Sequence, residues 1–96
     1  MPTKIELEQI INAARDRVLA EGTTKVAFVG GMMYRDAKNI QVGGVRVTIV
    51  PGCKRMDIQR LANGNPVLGT ADDGVVYRYH GEIQYVMDDL KTLAGI

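Results

Sequence analysis

The side chain best suited to chemistry in this 96-residue chain is Cys53, the only cysteine. It follows Val50-Pro51-Gly52 and precedes Lys54 and Arg55. Neighbouring cations favour the thiolate, which is the nucleophilic form of cysteine. A catalytic cysteine also needs a general base, and nothing in the spacing pairs Cys53 with His80, the single histidine. We therefore expect Cys53 to be a half-buried structural residue beside a turn.

His80 is the other residue that suits proton transfer, with Asp72, Asp73 or Glu82 as carboxylates that would orient it. The chain has no serine, which excludes a Ser-His-Asp triad. One cysteine, one histidine and sequence-adjacent acids do not supply a compact set of metal ligands. The sequence therefore predicts no catalytic residue, no metal site and no cofactor, and we expect a non-enzymatic protein.

Glycines at the ends of apolar runs suggest an alternative function. Gly30-Gly31 follows the run Lys25–Val29, and Gly52 follows a second run. These two patches resemble the strand-end glycine loops of Rossmann-like nucleotide-binding domains, where backbone amides approach phosphates. The resemblance implies a small-ligand or nucleotide-binding protein, with ordinary turn glycines as the competing interpretation. The candidate ligand-binding residues are Gly30, Gly31, Gly52, Cys53, Lys54 and Arg55.

Tyrosine, methionine and arginine are enriched at protein interfaces, and they cluster in two segments of this chain. The candidate partner-binding residues are Met32, Met33, Tyr34, Arg35, Tyr77 and Tyr79. A third hypothesis is a nucleic-acid surface built from basic residues and tyrosines. Its basic members are Arg46, Lys54, Arg55 and Arg60. Twelve basic against eleven acidic residues give a net charge of +1, which counts against this third hypothesis without excluding it.

The bulk composition indicates one folded domain over residues 1–96. The chain is 46% hydrophobic and 24% charged, as is ordinary for a globular protein. No apolar run approaches the roughly 18 residues of a membrane-spanning helix, so no membrane association is expected. A single cysteine cannot form an internal disulfide, which is typical of a reducing cytoplasm. We therefore expect a cytoplasmic protein.

Helical spacing is clear at both ends of the sequence. Residues 3–21 predict a helix, with Thr3 and Glu6 as a capping box and Gly22 as a left-handed cap. Near the other end, Ile83, Val86, Met87, Leu90 and Leu93 fall on one helical face, with Gly95 as its cap. A strand over residues 82–87 is the competing prediction there.

Between the helices the pattern changes to short strands. Residues 45–50 predict the central strand, with Val45, Val47 and Ile49 on its buried face. Residues 25–29 predict a buried strand, residues 32–39 fit either a strand or a helical turn, and residues 56–63 predict a short helix. Segments 66–70 and 75–79 predict a hairpin across Asp73-Gly74. The fold class is therefore α+β: a small two-layer domain with a mostly antiparallel sheet on an N-terminal and a C-terminal helix.

These observations favour a small binding module that presents a surface to a protein partner, with self-association into a homo-oligomer expected. An inhibitor or accessory protein of phage or mobile-element type would suit such a chain. No motif identifies the partner.

Overall fold

A computed structural model of the chain describes residues 3–79 and 81–96, so the predictions that involve His80 lie outside the described residues. Within these residues two helices and a 3₁₀ helix accompany one six-stranded sheet in the order β1-β2-β3-β4-β5-β6. The elements are α1 (Lys4–Glu21), β1 (Thr23–Val29), β2 (Met32–Val42), β3 (Val45–Ile49), β4 (Met56–Arg60), β5 (Pro66–Thr70), β6 (Val76–Tyr79), the 3₁₀ helix (Gly81–Tyr85) and α2 (Met87–Ala94). Every pair of neighbouring strands is antiparallel. The predicted two-layer α+β fold is confirmed.

Helix α1 begins as predicted but ends differently. The Thr3 hydroxyl accepts a hydrogen bond from the Glu6 amide at 3.1 Å, which satisfies one of the unpaired donors at the helix start. The prediction that Gly22 forms a left-handed cap is wrong, because its φ is −67°. A Cβ at Gly22 would collide with the Val18 carbonyl oxygen, to which the Gly22 amide donates. Glycine is required here because the Val18 carbonyl oxygen leaves no room for a Cβ, and not because its φ is positive.

Strand β3 is central, as its sequence predicts. Val45, Val47 and Ile49 are fully buried in one cluster with Ala14 of α1 and Leu90 of α2. Arg46 and Thr48 alternate with them and therefore point to the opposite side of the sheet. We call that side the helix-free face. The two helices thus cover one face of the sheet, and the core lies between the two layers.

Two predictions between the helices are wrong. The segment predicted as a helix over residues 56–63 is strand β4, in which Met56 and Ile58 are buried opposite Ile49 and Val47 of β3. A short run of alternating apolar residues satisfies both periods, and pairing with β3 decided between them. The buried strand predicted at residues 25–29 is the edge strand β1, which is mostly exposed.

The structure also decides between the secondary structures that the sequence left open. The ambiguous segment 32–39 belongs to the 11-residue strand β2. The hairpin across Asp73-Gly74 is confirmed as β5 and β6. Residues 81–85 form a 3₁₀ helix that leads into α2, so the strand over 82–87 is wrong. Gly95 ends α2 with a φ of +76°, the left-handed cap that its position predicts. Among the described residues, no helix has the length and apolar character needed to cross a membrane.

Candidate functional site

The first half of β2 extends past β3 and pairs with β1 to form a projecting two-stranded ribbon. The pairs between β2 and β3 begin at Lys38, whereas β1 pairs with β2 as far as Val29 and Met32. We call residues 25–36 the hairpin arm. A β-bulge lies in the arm, where Arg35 and Asp36 stand opposite the single residue Val26. The arm therefore carries side chains beyond the body of the sheet.

The tip of the arm is a two-residue turn made by Gly30 and Gly31. Their φ angles are +62° and +82°, and a type I′ turn requires a positive φ at both central positions. Glycine adopts these angles without the steric cost that a Cβ brings. The adjacent glycines thus fix a hairpin, which accounts for them without any phosphate ligand.

Two charged residues hold this tip against the sheet. The Asp57 carboxylate of β4 accepts hydrogen bonds from the Gly30 amide at 3.3 Å and from the Tyr77 hydroxyl at 3.0 Å. The Arg55 guanidinium donates to the carbonyl oxygens of Val29 and Gly30 at 3.5 and 3.4 Å. Contacts to both the amide and the carbonyl oxygens of one turn restrict its position. The arm is therefore fixed over the helix-free face.

Arg55 is itself anchored by Asp72 in the loop between β5 and β6, at 2.7 Å. This hydrogen bond lowers the pKa of the Asp72 carboxyl and raises the pKa of the Arg55 guanidinium. Burial, followed by the negative charge of Asp57, raises the pKa of the Tyr77 phenol. Arg55 therefore holds the arm in its charged form at neutral pH.

One side of the arm is apolar and exposed. Val26, Phe28 and Met33 are 58%, 71% and 55% exposed, and Phe28 and Met33 are direct cross-strand partners. Strand alternation places Val26 and Phe28 on the side of β1 that also carries Thr24, the partner of Lys38. Lys38 donates to the Leu19 carbonyl oxygen of α1, so this is the helix-covered side of the sheet. The arm continues that side past the helices, and we call this part the outer face of the arm.

The structure separates some of the predicted partner-binding residues and joins others. Met32 and Tyr34 lie on the opposite side of the arm from Met33, since side chains alternate along a strand. Tyr77 meets the arm through Asp57 and lies close to Gly30. Arg35 is exposed at the bulge, and Tyr79 is 40% exposed on the far edge strand β6. These six residues therefore do not form one continuous patch.

Val26 and Phe28 are the members of the exposed surface that sequence reasoning missed. Their apolar run indicated burial, because it reads like an interior strand. The position of this run beside Gly30-Gly31 could have indicated exposure, since a tight hairpin turn places the adjoining residues at a projecting end. Phe28 is also the only phenylalanine of the chain.

The candidate ligand-binding residues do not form a phosphate loop. The sheet is antiparallel throughout, so the likeness to Rossmann-like domains, whose strands are parallel, is wrong as a description of the fold. Cys53 is half-buried, with its Sγ 3.7 Å from the Val50 carbonyl oxygen. Gly52 has a φ of +91° in the loop after β3. Lys54 lines a cavity of about 540 Å³ between α1 and the loop after β5.

The basic residues considered for nucleic acid are dispersed. Arg60 pairs with Glu82 at 3.0 Å and lies over the Tyr85 ring, 4.6 Å from its centroid. Arg46 projects from the helix-free face, and Arg55 is engaged at the tip of the arm. The structure therefore does not bring them into one basic stripe. In the part of the chain that the structure describes, no group of three or more His, Cys, Asp or Glu side chains is arranged to hold a metal ion.

The outer face of the arm is thus an exposed surface of the described chain that is suited to apolar contact. Comparison of the chain with protein-family models, with curated proteins and with solved structures gave no match.

Proposed function

We propose that this protein is a non-enzymatic binding module that docks a protein partner on the outer face of its hairpin arm. The observation that carries the proposal is the position of Phe28, which is 71% exposed and adjoins the exposed side chains of Val26 and Met33. Neighbouring apolar side chains in water are unfavourable, and such clusters mark interaction surfaces. An exposed aromatic residue flanked by aliphatic ones has the composition of an interface anchor.

The attachment of the arm supports the same conclusion. Asp57 and Arg55 hold the turn at Gly30 in one position, so little conformational entropy remains to be lost when a partner docks. β1 is also an edge strand, whose outward backbone groups are available to a strand from another chain. A partner that adds a strand to β1 would cover Val26 and Phe28 at the same time.

A module of this kind acts by occupying a surface, as an inhibitor or an accessory protein does. The partner is a different protein or a second copy of this chain, and the experiment below distinguishes the two. Photo-crosslinking is the direct test, with a photoreactive phenylalanine analogue placed at Phe28 and, as the matched control, at Ile5 of α1. Ile5 is 69% exposed and apolar, so it equals Phe28 in exposure and differs in location.

Irradiation of the expressing cells should give a discrete protein adduct from position 28 and none of that size from position 5. Met33→Ser should weaken the adduct, because Met33 lies directly across from Phe28. An adduct with twice the chain's 10.5 kDa mass would identify a second copy as the partner. Equal adducts from positions 5 and 28, or none from position 28, would contradict the proposal.

A further inference from the structure

A second feature of the arm is the space beneath it. The arm lies over the helix-free face and leaves an open cavity of about 380 Å³ between β1 and the strands below. Its polar lining consists of Lys25, Asn39, Arg46, Thr48 and Gln59, with Val26, Ala27 and Phe28 completing it. The volume falls within the range of small-molecule sites.

The charges that line this cavity have one sign. Lys25 and Arg46 are cationic, and the lining residues include no carboxylate. Asp57 is an acid close to this lining, since it pairs with Thr48 across β3 and β4. Its carboxylate already accepts from the Gly30 amide and the Tyr77 hydroxyl, which disperse its charge. The cavity therefore favours a negatively charged ligand.

The uncharged lining residues add hydrogen-bonding groups. Asn39 and Thr48 face each other across β2 and β3 and are only 6% exposed each. Buried polar side chains are usually hydrogen-bonded. Within residues 3–79 and 81–96 the buried side-chain atom without a hydrogen-bond partner is Arg15 Nε, so the polar atoms of Asn39 and Thr48, which have no protein partner there, are open to the solvent of the cavity. Their hydroxyl and amide groups remain available to a ligand in the cavity.

The cationic side chain on the floor of the cavity is partly positioned in advance. With the Gln41 amide oriented to satisfy both partners, its oxygen accepts from Arg46 Nε and Nη2 at 2.8 and 2.6 Å. This contact fixes the guanidinium plane and leaves the Nη1 hydrogens for a ligand. Guanidinium groups held in this way bind planar or tetrahedral oxyanions well.

We propose that the cavity binds a small oxyanion, meaning a phosphate or carboxylate group, between Lys25 and Arg46, with Asn39 and Thr48 as hydrogen-bond donors. The cavity shares Val26 and Phe28 with the partner surface proposed above, but its central residues Arg46 and Thr48 belong to β3 and not to the arm. Changes at β3 therefore test this site without altering the apolar outer face.

The test is an NMR titration of the ¹⁵N-labelled protein with inorganic phosphate, and separately with citrate, against sodium chloride of equal ionic strength. Saturable shifts are expected at the amides of Lys25, Asn39, Arg46 and Thr48. A response to phosphate only, to citrate only or to both would identify which oxyanion the site accepts. Shifts equal to those given by chloride, or shifts that do not saturate, would overturn the proposal.

Variants separate a built site from general attraction of anions. R46Q should weaken binding by about tenfold or more, because a charge-assisted hydrogen bond is lost. T48V retains the charge and the β-branched shape, and it should still weaken binding because the hydroxyl is lost. K4Q removes a cation of α1 outside this cavity and should leave affinity unchanged. Equal weakening by K4Q and R46Q, or unchanged binding in T48V, would contradict the assignment of these residues.

Discussion

Gly30 and Gly31 have the same role in backbone conformation but different surroundings. A Cβ at Gly31 would meet open space, whereas a Cβ at Gly30 would lie 2.7 Å from Arg55 Nη1 and 3.3 Å from the Tyr77 hydroxyl. Both residues have a positive φ, which costs an L-residue about 1 kcal/mol. The difference in stability between alanine variants at the two positions therefore measures the contact between the arm and the sheet.

We predict that Gly31→Ala lowers the free energy of unfolding by about 1 kcal/mol and that Gly30→Ala lowers it by about 2 kcal/mol or more. The added cost at position 30 arises because Arg55, when it shifts to make room, loses its hydrogen bonds to the Val29 and Gly30 carbonyl oxygens. Urea unfolding of the two variants beside the unchanged protein measures this difference. Equal losses would mean that the arm is not held by Arg55 in solution.

For single residues, the sequence predicted the conformational role of a residue better than the groups that surround it. Gly30-Gly31 was correctly associated with a break after an apolar run, but a hairpin turn and a phosphate loop use glycine for the same conformational freedom. The contact with Arg55, 25 positions along the chain, was not predictable from local spacing. Phe28 was assigned to the interior, since burial depends on whether a helix covers that part of the sheet.

At the scale of secondary-structure elements, one carboxylate of α2 binds the turn that connects β2 to β3. Asp89 Oδ2 accepts from the Gly44 amide at 2.9 Å. A Cβ at Gly43 would lie 2.5 Å from the same carboxyl group, so the turn and the helix are in close contact. Asp88 precedes it in the first turn of α2 and is exposed. Both acids interact favourably with the amides at the helix start, which makes them a matched pair.

Asp89→Ala should lower the free energy of unfolding by about 2 kcal/mol, because the Gly44 amide loses a charged acceptor. Asp88→Ala should change it by about 0.5 kcal/mol, the size of the helix-start effect that both positions share. Chemical denaturation of the two variants provides the comparison. If Asp88→Ala were as destabilising as Asp89→Ala, the bond to the turn would contribute nothing.

The elements themselves were partly predictable. Both helices and the strand at residues 45–49 follow from long or unambiguous patterns, and each is present. The segment at Met56 and Ile58 was assigned to a helix, because a short apolar run does not distinguish a period of 2 from one of 3.6. Its pairing with β3 is a long-range property. The proposed oxyanion cavity was likewise hidden, since Lys25, Asn39 and Arg46 come together only when β1, β2 and β3 pair.

For the whole molecule, an antiparallel meander places alternate turns at the same end of the sheet. The turn at Gly30, the loop with Arg55 and the loop with Asp72 meet there, joined by the Arg55 side chain. The hydrogen bond from Arg55 lowers the folded-state pKa of Asp72. Its contribution to stability is therefore fully present above the unfolded-state pKa, near pH 4, and is lost as the pH falls through the lower folded-state value.

We predict that Asp72→Asn lowers the free energy of unfolding at neutral pH and that its difference from the unchanged protein disappears in acid, below about pH 4. Urea titrations at a series of pH values measure both curves. Asp16→Asn, at an exposed carboxyl of α1, is the control and should run parallel to the unchanged protein. A difference between Asp72→Asn and the unchanged protein that persisted in acid would show that Asp72 acts through packing and not through its charge.

The strand order described above also bears on how the molecule folds. Each strand pairs with its neighbour in sequence, so every hairpin closes a short loop at small entropic cost. Contacts between residues distant in sequence include those of α1 with α2, as where Arg17 of α1 donates to the Leu93 carbonyl oxygen 76 positions away. Chains dominated by local contacts fold quickly. We expect the hairpins to form early and the pairing of the two helices to come late, so substitutions at Arg17 should accelerate unfolding and leave the folding rate nearly unchanged.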